Sequence, residues 1–152
     1  MATYFLDSSA LVKCYVSEPG SVWVRELLYR PRDTRYVSVL AEVEVAAAIM
    51  RRCRAGSLPI AAWGTLHAAF RPDLECQLTL MGVTAATLSD ATRMIGDHGL
   101  RAYDAVQLAT AWRVYDECVA ASEPFRLVSA DAELNAAARA EGMRVEDPNA
   151  YP

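Results

Sequence analysis

Apolar positions along the chain fall into short runs that alternate with longer stretches of helical periodicity. Thr3 to Leu6 is an apolar run closed by Asp7-Ser8-Ser9, and aspartate and serine are good helix N-caps, so a first strand feeds directly into a helix. Ser17-Glu18-Pro19-Gly20 breaks that helix; Val22, Trp23, Leu27 and Leu28 then form one apolar helical face, which Pro31-Arg32-Asp33 stops. Tyr36 to Ser38 predicts a brief second strand. Val39 to Arg54 is helical in propensity, with basic residues in its last turns that suit the helix dipole, and Gly56 ends it.

Pro59 opens the next helix, because its fixed φ and missing N–H suit a first turn; that helix carries Trp63, Leu66 and Phe70 on one side and is expected to stop near Pro72. Cys76 to Leu80 predicts a third strand. Two helices follow, Thr84 to Asp97 and Ala102 to Cys118, separated by His98-Gly99. Phe125 to Ser129 reads as a strand, Asp131 to Glu141 as a helix closed by Gly142, and Met143 to Val145 as a last strand before Asp147-Pro148. Strands alternating with helices imply parallel pairing. The expectation is an α/β fold, a three-layer α/β/α sandwich around a short-stranded, mostly parallel sheet.

The length of 152 residues suits one domain spanning 1–152. Cys14, Cys53, Cys76 and Cys118 are widely separated and no secretory segment precedes them, which predicts reduced thiols in the cytoplasm. No apolar run approaches the roughly 20 residues of a membrane helix. A formal net charge of −4 is unlike a general nucleic-acid binder, but Arg51, Arg52 and Arg54 cluster, and Lys13 and Arg101 lie near acids in sequence.

Four acids stand just past predicted strands or near helix starts: Asp7, Glu44, Asp104 and Asp131. In open α/β sheets ligands bind outside the carboxyl ends of the strands, so this topology draws the four toward one edge. Gathered carboxylates resist joint ionisation unless a cation neutralises them, which points to a divalent metal. Each acid also has a plainer role. Asp7 and Asp131 are natural N-caps, and Asp104 suits a helix's first turn. Glu42 competes with Glu44, since two positions turn a helix by about 200° and only one of them faces a given site. His67 and His98 lack the companions of a zinc site.

Tyr4-Phe5-Leu6-Asp7-Ser8-Ser9-Ala10-Leu11-Val12-Lys13, followed by Glu18-Pro19-Gly20-Ser21, closely resembles the opening of PIN-domain ribonucleases, in particular VapC-type toxins of toxin–antitoxin pairs. Ser38-Val39-Leu40 leading to Glu44, then Ala46-Ala47-Ala48 and Arg51-Arg52, is similar to the family's second acidic segment, and this register selects Glu44 over Glu42. Leu100 to Ala109, with Asp104, resembles its third segment, and Leu127-Val128-Ser129-Ala130-Asp131 its fourth. Tyr103 departs from the pattern, where a small residue is commoner.

The resemblance implies a Mg²⁺ or Mn²⁺ site made by Asp7, Glu44 and Asp104, with Asp131 holding a coordinating water or a second ion. Ser9 and Ser129 would orient Asp7 or a water. The implied reaction is hydrolysis of RNA phosphodiester bonds in line, leaving 5′-phosphate and 3′-hydroxyl ends, with Lys13, Arg51 and Arg101 touching phosphate. Implied partners are a VapB-type antitoxin and a second copy of the chain in a homodimer; the apolar faces around Trp23, Trp63 and Phe70 are candidate surfaces, and a tightly packed core explains them as well. Two other classes compete: a receiver-like or phosphatase-like domain with Asp7 as phosphoryl acceptor, and an inactive acidic module that only binds a protein.

Overall fold

In a computed structural model that describes residues 1–151, the predicted alternation holds. The strands are β1 (Thr3–Leu6), β2 (Thr34–Ser38), β3 (Thr79–Met81), β4 (Phe125–Val128) and β5 (Val145–Glu146). They form one sheet in the order β3-β2-β1-β4-β5, and every pairing is parallel. The helices are α1 (Ser8–Leu11), α2 (Ser21–Leu28), α3 (Ala41–Arg54), α4 (Ala62–Cys76), α5 (Ala85–His98), α6 (Ala102–Ala120) and α7 (Ala132–Ala140).

Side chains on β1 alternate between the two faces of the sheet, as period-two geometry requires. Tyr4 and Leu6 join a core with Leu11, Val24, Leu27, Val45, Ile49 and Phe70 from α1 to α4. Phe5 points into a second core with Met94, Leu108, Ala109, Leu127 and Leu134. Helices therefore cover both faces, and the three-layer expectation is met. Among the described residues no helix is long and apolar enough to cross a membrane.

Several boundaries differ from expectation, each for a tertiary reason. α4 runs through Pro72 to Cys76 instead of stopping. Phe70 and Leu74 are buried on either side of the proline, and Asp73 accepts hydrogen bonds from the Tyr15 and Tyr29 hydroxyls at 2.7 and 2.8 Å. The third strand consequently begins only at Thr79. The first helix is a single turn followed by a 3-10 turn over Val12–Cys14. The last strand is Val145–Glu146, two residues later than the apolar pattern suggests, because Met143 is buried against α6 and α7 instead of pairing.

Of the two readings of the apolar faces around Trp23, Trp63 and Phe70, the packed core accounts for most of them. Phe70 is fully buried, Trp63 and Trp23 pack against the first core, and Trp23 stacks flat on Tyr151 with ring centroids 4.4 Å apart.

Candidate functional site

β1 is the middle strand, and the chain leaves it toward β2 on one side and later returns to β4 on the other. The ends of β1 and β4 are thus the point where strand order reverses, and loops there diverge to leave a crevice. A cleft of about 810 Å³ opens at this edge. Asp7, Glu44, Asp104 and Asp131 all line it, with Ser9, Lys13, Arg51 and Arg101. Ser129 lies just beneath. Glu42 lies elsewhere, near Arg71 at 3.7 Å and His67 at 3.6 Å.

Asp7 directly follows β1 and caps α1, accepting the Ser9 N–H at 3.1 Å. The Ser9 hydroxyl donates to Asp7 Oδ2 at 2.5 Å, and the Ser129 hydroxyl donates to the same oxygen at 3.3 Å. Ser9 Oγ in turn accepts from the Ala130 N–H at 2.9 Å, and Ser129 Oγ from the Asp131 N–H at 3.1 Å. Two distant loops are thereby tied around one carboxylate. Ser9 and Ser129, the two expected orienting residues, thus both contact Asp7 Oδ2. Burial raises the Asp7 pKa, against the lowering effect of these hydrogen bonds.

Glu44 and Asp104 both stand in first turns, of α3 and α6. Asp131 caps α7 by accepting the Leu134 N–H at 2.9 Å. Burial, then the charge of Asp7, lifts the Glu44 pKa to about 7, with Gln107 pulling it down and Asp104 adding to the rise. Asp104 is raised by burial first and by Asp131 and Asp7 next, with Arg101 opposing. The four carboxylates therefore share one electrostatic neighbourhood. Among the described residues, however, no three Asp, Glu, His or Cys side chains are drawn together as a ready metal-binding group. The acids ring the cleft from four different elements instead of closing a shell. Chemically the set fits a hard cation: all its donors are carboxylate oxygens, and their mutual repulsion is what such an ion relieves.

Lys13 is only 4% exposed. Its ammonium donates to the Pro19 carbonyl at 3.0 Å and sits 3.5 Å from Glu18, so it belongs to the cleft wall. Arg52 clamps the same glutamate through two nitrogens. Arg51 and Arg101 are exposed.

Gln107 was not anticipated. It is 1% exposed, and its amide donates to Glu44 Oε2 while its own Oε1 has no partner. A signal existed: Gln107 follows Asp104 by three positions, one helical turn, and interrupts the apolar stripe of Ala105, Leu108 and Ala109. Asn149 also reaches the cleft, its side chain donating to the Ala130 carbonyl at 3.4 Å.

Residues 4–140 match the PIN domain. The chain is 34% identical over 149 residues to ribonuclease VapC46 of Mycobacterium tuberculosis, covering 98% of this chain and all of that one. Among solved structures it resembles VapC20 of Mycobacterium tuberculosis, a sarcin–ricin loop cleaving toxin, with a TM-score of 0.65 and 17% identity over 88% of this chain and 94% of that one. It also resembles a toxin–antitoxin complex from Klebsiella pneumoniae, with a TM-score of 0.62 and 14% identity over 97% and 98% of the two chains. The two structural likenesses show the fold; the match across residues 4–140 and the full-length relative place this chain in the PIN-domain family, among its VapC-type members.

Proposed function

We propose that this chain is a divalent-metal-dependent endoribonuclease, the toxin of a toxin–antitoxin pair, and that it cleaves single-stranded or looped RNA in the cleft at the ends of β1 and β4. The observation that carries this reading is the convergence of four acids from separate elements on one cleft, close enough for Asp7 to help lift Glu44 to about 7. Asp7, Glu44 and Asp104 would hold Mg²⁺ or Mn²⁺, with Asp131 holding a water or a second ion. Bound there, the ion would supply charge neutralisation at phosphorus and activation of water for in-line hydrolysis.

The chain's own residues do the positioning. Ser9 and Ser129 fix Asp7 Oδ2, and Gln107 fixes Glu44. Arg51 and Arg101 contact phosphates flanking the scissile one, and Lys13 contributes its charge from within the wall. VapC46 is named a ribonuclease, which supports RNA as the substrate, and VapC20 a sarcin–ricin loop cleaving toxin. The likeness to a toxin–antitoxin complex supports an antitoxin as partner. Assembly as a cytoplasmic homodimer belongs to the same reading.

Purified protein incubated with total RNA, with Mn²⁺ or with EDTA, tests the proposal. Cleavage with Mn²⁺ that EDTA abolishes, and that Asp7→Asn or Glu44→Gln removes while circular dichroism stays native, is the expected result. Intact RNA under both conditions sinks the enzyme reading. Covalent labelling of Asp7 by a phosphoryl analogue would point instead to the phosphoryl-acceptor class.

A further inference from the structure

Each of the two helical acids follows an exposed apolar side chain that lines the same cleft: Val43 precedes Glu44, and Tyr103 precedes Asp104. Val43 is 65% exposed and Tyr103 59%, whereas both acids are half-buried. Successive helical positions point about 100° apart, so each helix presents a carboxylate inward and an apolar side chain at the rim. Arg51 and Arg101 line the cleft too, both exposed. Neither is within ion-pair distance of an acid among the described residues. Arg52, by contrast, is held by Glu18, and Arg93 by Asp97 and Glu141.

An aromatic ring left in water stands beside two available guanidinium groups and over an acidic floor, and Asp and Glu are depleted at the centres of protein interfaces. The combination matches what a single-stranded nucleotide offers: a phosphate for the arginines and a flat apolar base for the ring. We propose that Tyr103, with Val43 as a second apolar wall, seats an unpaired base next to the scissile phosphate of RNA. A base inside a duplex has both faces stacked on its neighbours and cannot use this seat, so the cleft selects unpaired nucleotides. The seat rests on the nuclease reading of the cleft and adds the contact that chooses the substrate's conformation.

Binding of a short labelled single-stranded RNA, measured in an Asp7→Asn background so that the RNA stays intact, tests it. Tyr103→Ala weakens binding by about 5- to 100-fold, and Tyr103→Phe and Tyr103→Trp stay within about twofold of the parent. Because stacking involves no counterion, the Tyr103→Ala loss is the same at about 50 and about 200 mM salt, whereas Arg101→Ala flattens the salt dependence. With one abasic nucleotide walked along the RNA, a single position makes Tyr103→Ala and its parent bind alike. Tyr103→Leu, which keeps an apolar helix former, repeats the Ala result, and circular dichroism certifies both folds.

Binding by Tyr103→Ala within about twofold of the parent overturns the seat, as does an equal loss on a fully paired duplex. If the native-sequence protein cleaves RNA and the Asp7→Asn protein binds it with no Tyr103 effect, the seat alone falls. If the chain neither binds nor cuts RNA, the nuclease reading falls with it. Tyr103→Ala that leaves RNA binding intact but abolishes binding of an antitoxin makes the rim a protein-docking surface and also overturns the proposal.

Discussion

At the scale of single residues, the cleft positions of the acids at strand ends were legible because an aspartate just beyond a β-strand both caps the next helix and stands at the sheet edge where α/β folds open a crevice. Asp7 illustrates this, since one carboxylate caps α1 and faces the cleft. Gln107 was not legible, because one polar residue in a helix is usually solvated, and only the packing of α6 shows that it is buried against Glu44. Lys13 was legible as a cleft residue but not as a tied one, since the Pro19 carbonyl and Glu18 that hold it are placed by the loop before α2. Gln107 carries a prediction. Its N–H favours the ionised form of Glu44, so Gln107→Leu raises that group's pKa above about 7. If cleavage requires ionised Glu44, the acid limb of the pH–rate profile moves to higher pH in the variant while activity well above the limb recovers. An unmoved limb would separate Gln107 from Glu44's titration.

At the scale of elements, helix and strand identity followed from periodicity, and the errors came where long-range contacts outweigh local preference. Pro72 shows this: proline in a helix interior removes an N–H and crowds the carbonyl one turn back, at about 3 kcal/mol, yet α4 continues because Phe70, Asp73 and Leu74 are all engaged. Pro72→Ala therefore stabilises the protein by about 2 kcal/mol, the helical gain less the freedom returned to the unfolded chain, visible as a higher urea midpoint. Glycines give a contrast between two left-handed positions. Gly20 (φ +85°) would place a new Cβ 2.2 Å from the Pro148 carbonyl oxygen, whereas Gly56 (φ +78°) would meet nothing within 4 Å. Gly56→Ala costs about 1–2 kcal/mol through backbone strain alone, and Gly20→Ala costs about 3 kcal/mol or more because backbone must also move. Equal urea midpoints for the two variants would mean that the contact between the loop before α2 and the C-terminal turn carries little.

At the scale of the whole molecule, alternating strands and helices announced a layered α/β fold, but strand order depends on which edge each crossover chooses, and no local pattern encodes that. In the order β3-β2-β1-β4-β5 the adjacency of β1 and β4 brings Asp7 and Asp131 to neighbouring strand ends, and Glu44 and Asp104 line the same cleft. That convergence makes stability depend on pH and on cations. Glu44 has an ordinary pKa of 4.5 and a folded-state pKa of about 7, so the folded protein keeps a proton that the unfolded chain releases. The stabilisation is complete below about 4.5, declines across the window and is lost as pH rises through about 7. Asp7 and Asp104, also raised, act in the same direction. In EDTA the melting temperature is therefore higher at pH 5 than at pH 8, and Asp7→Asn, which removes one repelling charge while keeping a capping side chain, melts no lower than the parent at pH 8. Millimolar Mn²⁺ reverses the trend by binding the ionised acids, so its stabilising effect grows between pH 6 and pH 8; at a hundredfold excess over the dissociation constant it reaches about 2.7 kcal/mol. The same addition hardly moves Asp7→Asn or Glu44→Gln. Equal Mn²⁺ shifts in parent and variants, or a parent more stable at pH 8 than at pH 5 in EDTA, would show that the four carboxylates do not act as one charged site.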